Sequence, residues 1–340
     1  MAMLSKIKKN KVIADFSRFT YTISGRPKAG KTSLVYKTAV EKFGSAESLL
    51  LVAFEKGYGA LNDVNAVDIE EFDEFVDLVD ELIENKNGLP YKMIALDTVD
   101  IMQDLAIDYT VKKASREDKK RYTALSDIPW GKGYQLLADN ISSQITKLQK
   151  AGFSLWFITH DKEKSFETRE GLKYDKTTLS LTGKVRDICL NMSDFIVFIE
   201  LTKDMEDGKL VDKRRIHFRG DSTLECGSRL EHVPDYIDYN VKEFIKTVED
   251  AVLFEYGGDK KAMEKSRVEQ EAEIQKKADE IISKPKEMSE EEKEIIIEKL
   301  KSNMDKLNMD DIMNIFSKYS ITSLDVTAPS EAIKELSKLI

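Results

Sequence analysis

Eight residues, Gly25-Arg26-Pro27-Lys28-Ala29-Gly30-Lys31-Thr32, constrain this chain more than any other stretch, because they read G-x-x-x-x-G-K-T. In front of them lies Phe19-Thr20-Tyr21-Thr22-Ile23, whose β-branched and aromatic residues predict a buried strand. Behind them, Ser33 to Phe43 carries Leu34, Val35, Ala39, Val40 and Phe43 at helical spacing. Strand, glycine loop and helix in that order turn the pattern into a phosphate-binding loop. Phosphate oxygens need backbone N–H groups at a helix N-terminus, and side chains would block that approach. Gly25 and Gly30 remove the side chains, Lys31 offers a point charge to β/γ-phosphates, and Thr32 offers a hydroxyl to Mg2+. The nucleotide-binding set is therefore Gly25, Arg26, Pro27, Lys28, Ala29, Gly30, Lys31, Thr32 and Ser33. The competing reading is a glycine loop that merely caps a helix beside a surface lysine.

The rest of the chain supplies a setting for such a loop. Ser48 to Phe54 is a continuous apolar run of strand length, as a strand buried on both faces requires, and it ends at Glu55. Residues 69–85 have an amphipathic helical pattern, and Asn87-Gly88-Leu89-Pro90 breaks it. Tyr91 to Asp97 is the next strand and ends in an aspartate, which suits a carboxylate that holds the hydration shell of Mg2+ while Thr32 ligates the metal. A helix over 98–112 and a polar stretch over 112–121 follow, the latter a mobile loop or the exposed end of that helix. Trp130-Gly131 restarts order, Tyr134 to Gln149 reads as a helix, and Phe153 to Thr159 as a fourth strand ending in His160-Asp161. After a polar segment over 161–193 come a strand at 195–201, a turn at 204–208, an alternating partner at 213–219 and a helix at 241–255. Repeated βα units with a polar residue at each strand's C-terminal end predict a doubly wound three-layer α/β core, with an antiparallel pair at its edge. Composition changes at Gly257-Gly258. The domains expected are a core over 1–256, a charged helical linker over 257–288 and a small helical module over 289–340.

Charge and composition narrow the function classes. The net charge of −9 argues against coating nucleic acid by bulk electrostatics, but 112–121 and 213–219 are locally basic. No run approaches the roughly 18 apolar residues of a membrane span, and the basic N-terminus lacks the apolar core of a secretory signal. Two cysteines, Cys189 and Cys226, and three scattered histidines make a zinc site improbable and suggest a reduced, cytoplasmic protein.

The acid that activates water sorts phosphate-loop proteins into classes. Thr98 follows Asp97 where AAA+, ABC and most helicase patterns carry glutamate, and no N-K-x-D element of a GTPase is present. Glu55, ending the strand after the loop helix, takes that role instead. With Leu51-Val52-Ala53-Phe54-Glu55-Lys56-Gly57, Ile94-Ala95-Leu96-Asp97-Thr98, Trp130-Gly131, Phe157-Ile158-Thr159-His160, Leu181-Thr182-Gly183-Lys184-Val185-Arg186 and Arg214-Arg215-Ile216-His217-Phe218-Arg219-Gly220 in order, residues 15–255 resemble a RecA-like ATPase. The chain looks most like the phage-encoded nucleotide-binding proteins that act as RecA-like single-strand annealing proteins. One departure is His160, where the recombinases proper often carry glutamine.

That resemblance implies a RecA-like P-loop NTPase core with a small α-helical C-terminal module, and Mg2+-dependent ATP hydrolysis in a ring or filament. Catalytic roles fall to Glu55 and Lys31, with His160 either contacting the γ-phosphate or satisfied by backbone. Arg219 is the favoured cation for a neighbouring subunit's site, with Arg215 and Lys213 as alternatives; an edge-strand arginine facing solvent is an equal reading. Single-stranded DNA would meet two polar excursions. Lys119, Lys120 and Arg121 lie in the first; Lys162, Lys164, Lys173, Lys176, Lys184 and Arg186 lie in the second, with Tyr122, Phe166 and Tyr174 interleaved as stacking platforms. Flexible charged surface loops are the bland alternative. A DNA motor or helicase component and a non-hydrolysing switch remain open beside annealing. The C-terminal helices fit self-association or docking to a partner such as a single-strand-binding protein.

Overall fold

In the computed structural model the glycine loop joins β1 (Tyr21–Gly25) to α1 (Lys31–Phe43), two residues later at the strand start than the sequence suggests. Residues 10–206, 208–282, 290–303, 308–319, 321, 323–325 and 327–339 are described by the structure. The basic stretch 1–9, the segment 283–289 with Pro285, and Ser320 and Thr322 of the last connection lie outside them.

The chain continues through β2 (Leu49–Ala53), β3 (Asn65–Asp68), α2 (Phe72–Glu84), β4 (Met93–Asp97), α3 (Val99–Glu117), α4 (Lys132–Lys150) and β5 (Ser154–Thr159). Then come β6 (Asp161–Glu167), β7 (Lys173–Leu179), α5 (Gly183–Met192), β8 (Phe195–Glu206), β9 (Lys209–His217), β10 (Gly227–Ser228), β11 (Tyr236–Asp238) and α6 (Val241–Glu255). The main sheet runs in the order β11-β9-β8-β1-β5-β4-β2-β3, with β10 beside β8. From β8 to β3 the pairs are parallel, and β9, β10 and β11 pair antiparallel. This is the mainly parallel, three-layer α/β core expected from the sequence, with an antiparallel edge.

Strand alternation divides the core between two helical layers. Tyr21, Ile23, Leu49, Leu51, Met93, Ala95, Trp156 and Ile158 pack with α1 and α6 residues such as Leu34, Val35 and Phe244. Their neighbours Leu50, Val52, Ile94, Leu96, Leu155 and Phe157 pack with α2 to α5. β2, β4 and β5 are therefore apolar on both faces, β1 carries Thr22 and Ser24 on its second face, and every residue of these four strands is buried.

Two segments differ from the sequence reading, and a third, 112–121, takes one of the two readings given to it. The polar run over 161–193 is not a loop: β6 and β7 form a separate two-stranded antiparallel sheet, and α5 follows. Its strands are exposed or half-exposed over most of their length, with only Thr178 and Leu179 buried, so no apolar alternation marked them. Residues 112–117 end α3, and Lys119 sits at φ +50° in the turn that leaves it. The edge strand β3 went unread because it is short and half exposed.

Two compact units divide at residues 278 and 279. Helix α7 (Lys260–Ile282) begins in the first unit. There Gln270 donates to the Val12 carbonyl at 2.7 Å and accepts from the Ala14 N–H at 3.0 Å, and Lys11 meets Glu269 at 2.6 Å. Polar side chains make this docking, which is why composition alone resembled a solvated linker. Gly152 is left-handed there (φ +83°), and a β-carbon on it would stand 2.5 Å from the Ile274 side chain. The second unit holds α8 (Glu290–Ser302), α9 (Met309–Tyr319) and α10 (Ser330–Ser337), whose core is Leu300, Ile312, Ile315, Ala332 and Leu336.

Candidate functional site

Parallel strands deliver their C-terminal ends to one edge, and that edge gathers the residues singled out in the sequence. Gly25, at φ +149°, faces the next strand so closely that a β-carbon would stand 2.7 Å from the Ile199 carbonyl oxygen. Gly30 caps α1 in the left-handed region (φ +100°), and its carbonyl accepts from the Leu34 N–H at 2.8 Å. Lys31 is 6% exposed, and its ammonium donates to the Gly25 and Arg26 carbonyls at 2.8 and 3.2 Å. Burial lowers its pKa, offset in part by the charges of Asp97, Asp100, Asp161 and Glu55. The loop thus holds its cation on its own carbonyls, ready to exchange them for phosphate oxygens.

The Thr32 hydroxyl donates to Asp97 Oδ2 at 2.7 Å. Asp97 is 5% exposed, and burial raises its pKa against the pull of the Thr32 hydrogen bond and the Lys31 charge. One hydroxyl and one buried carboxylate oxygen this close form the hard-oxygen pair that suits Mg2+ beside a polyphosphate, so the residues present fit the metal. The Asp97 carbonyl accepts from the N–H groups of Phe54 and Glu55 at 2.8 and 3.2 Å. This ties the end of β2 to the end of β4 and sets Glu55, exposed at the edge, where its charge acts on Lys31, Asp97 and His160.

His160 Nδ1 lies 2.8 Å from Asp100 Oδ2. The bond to Asp100 raises the His160 pKa, opposed by burial and by Lys31. Burial pulls Asp100 upward, yet the His160 hydrogen bond and charge outweigh it and leave the carboxyl lowered. Asp100 was not singled out from sequence. Its signal was there, an acid three residues beyond Asp97 in the first turn of α3. Of the two readings of His160, its ring is held by a side chain and not by backbone.

The β9 cations separate by strand face. Lys213 pairs with Glu206 at 2.5 Å, Arg215 with Asp204, and His217 with Glu200 at 2.9 Å. Arg219 donates to the Val233 carbonyl at 3.0 Å and to the Glu231 carbonyl, and among the described residues no ion pair holds it. Arg214, on the opposite face, reaches its own chain's phosphate loop beside Gly30 and Tyr239, a placement that the sequence reading missed. Counting alternate residues along the strand would have separated it from Lys213 and Arg215.

The basic residues of the two polar excursions are scattered more widely. Lys119, Lys120 and Arg121 lie exposed beyond α3. Lys184 donates to Gln135 Oε1 at 2.6 Å from the first turn of α5, and Arg186 is engaged by Glu225, with Nε to Oε2 at 2.9 Å. On the β6–β7 hairpin, register opposes Lys164 to Lys176 and Phe166 to Tyr174, and these share one face with Lys162. The two rings stack at 5.7 Å and are 38% and 36% exposed. Asp161, Glu163, Glu167 and Asp175 occupy the other face, where Glu163 approaches Arg26 of the phosphate loop at 3.7 Å. Trp130 is 93% exposed and adopts a left-handed backbone (φ 62°), with Tyr134 exposed one turn on.

Residues 17–230 match the profile of the AAA domain family, and the chain belongs to that family. The acid that AAA+ patterns carry after the Asp97 position is still Thr98 here, so the match stands beside that departure. No curated protein matches the chain. Among solved structures it is similar to a KaiC-like protein from the hyperthermophilic archaeon Pyrococcus horikoshii OT3, at 14% identity over 66% of this chain and 90% of that one, with a TM-score of 0.34. Among the described residues no helix is long and apolar enough to cross a membrane.

Proposed function

We propose that this member of the AAA domain family binds ATP with Mg2+ at residues 25–33, hydrolyses it, and binds single-stranded DNA to promote annealing or strand exchange as an oligomer. The observation that carries the reading is the convergence of Lys31, Thr32, Asp97, Glu55 and His160 on one sheet edge. Thr32 and Asp97 would hold Mg2+, which would supply positive charge against the phosphates. Lys31 leaves the loop carbonyls for the phosphates. Glu55, open to solvent, orients a water and takes its proton, and His160, fixed by Asp100, faces the γ-phosphate. Arg219, which among the described residues donates to carbonyls and forms no ion pair, serves a neighbouring subunit's site.

The DNA part of the reading is supported by the β6–β7 hairpin, which begins at the residue after His160 and carries lysines and stacked aromatics on one face. Backbone cations and ring platforms together are what a single strand needs. The Arg26–Glu163 approach gives the nucleotide loop a physical link to that hairpin. The test is ATP turnover with and without single-stranded DNA. Glu55→Gln is expected to slow turnover by about 100-fold or more while ATP still binds. Unchanged turnover removes Glu55 from catalysis, and strand unwinding in place of annealing replaces the recombination reading with a motor.

A further inference from the structure

We propose that Arg214 is a nucleotide-binding residue acting in the same chain as the phosphate loop, and that it grips the α/β-phosphate portion and not the γ-phosphate. The inference rests on the nucleotide reading above. Strand β9 turns Arg214 to the face that carries Ile216 and Phe218, which are buried against the α1 and α6 layer. Its guanidinium arrives beside Gly30, where a β-carbon would stand 3.0 Å from Nη1 and 3.1 Å from the Tyr239 hydroxyl. That hydroxyl donates to the Gly30 carbonyl at 2.8 Å, and the guanidinium lies over the Tyr239 ring at 5.0 Å. The Tyr239 N–H donates to the Arg214 carbonyl at 2.8 Å, so strand pairing holds both residues against the loop.

Among the described residues no ion pair holds Arg214, whereas Lys213, Arg215 and His217 on the other face each have a carboxylate. Two cations therefore flank the start of α1, and both rest on substitute partners, Lys31 on carbonyls and Arg214 on an aromatic ring. A polyphosphate supplies the negative charge that both lack, and a planar guanidinium fork matches phosphate oxygens in pairs. Sheet order decides which phosphates. Asp97, His160 and Glu55 lie at the ends of β4, β5 and β2 on one side of β1, whereas β8 and β9 lie on the other. Arg214 thus meets the part of the nucleotide that ATP and ADP share.

The test measures ADP and ATP affinity, with Mg2+, for the full chain and for Arg214→Ala, Arg214→Lys and Lys31→Ala. Arg214→Ala is expected to weaken ADP and ATP alike, by about tenfold, with KM rising by the same factor and turnover at saturating ATP moving far less. Arg214→Lys, which keeps the charge and loses the fork, should fall between. It also carries the test if the alanine variant melts early. Unchanged affinity in both variants overturns the proposal, as does a loss confined to ATP or to saturated turnover. Binding lost in Lys31→Ala but intact in Arg214→Ala sinks Arg214 alone. A wild-type chain that binds neither nucleotide sinks the reading on which it rests.

Discussion

Asp100 and His160 show how one pair can tune the site. His160 is 23% and Asp100 17% exposed at the side chain, so solvent screens their bond little. The groups facing the imidazole come from several elements: Lys31 from α1, Glu55 from the end of β2 and Asp100 from α3. Because the folded His160 pKa is raised above 6.5, the pair stabilises fully below that value and its contribution is lost as pH rises through the raised pKa. On the acid side the lowered Asp100 makes the contribution present above 3.8 and lost as pH falls through the folded value. His160→Gln should therefore cost roughly 1–3 kcal/mol near pH 6, and the cost should shrink toward pH 9 in urea titrations. Asp100→Asn should move the His160 NMR titration downward, since burial and Lys31 then act unopposed by that carboxylate. A cost independent of pH would contradict the charged pair.

At the scale of elements, strand alternation puts Lys162, Lys164 and Lys176 with the two aromatics on one face of the β6–β7 hairpin, and puts the acids, with Lys173 opposite Glu167, on the other, where Glu163 approaches Arg26. Replacing Lys164 and Lys176 by glutamine should make the dependence of strand affinity on log salt shallower by about 1.4, at 0.7 per lost phosphate contact. Nucleotide affinity should not change. The chain has two tryptophans, and Trp156 is fully buried while Trp130 is 93% exposed. Quenching of the exposed one on adding oligonucleotide supplies the readout. An unchanged salt slope with normal affinity would move the DNA contact off the hairpin, leaving Lys119, Lys120, Arg121 and Lys184 to be tested next.

Across the whole molecule, a net charge of −9 coexists with local basic faces, so a polyanion must be met by placed residues and not by bulk attraction. The first compact unit contains the entire sheet and the phosphate loop. A chain ended after Ile282 should accordingly keep nucleotide affinity within about twofold and melt cooperatively. Calorimetry with and without ADP checks this, and loss of both properties would show that the unit does not fold alone.

The amino-acid sequence by itself determined the loop, its strand and its helix, because backbone geometry from Gly25 to Thr32 depends on local residue types. It determined the central strands too, since burial on both faces leaves a continuous apolar run that any window detects. The half-exposed β3 and the polar hairpin left no such run. Only the tertiary structure decided which residues share the site. Thr32 meets Asp97 across 65 positions, Asp100 meets His160 across 60, and Tyr239 meets Gly30 across 209. Strand order and face set those meetings, and neither is written in the neighbours of any one residue. The helix α7, read as a linker over its charged length, docks through hydrogen bonds to the N-terminal arm for the same reason. The partner of a polar side chain is chosen by the fold.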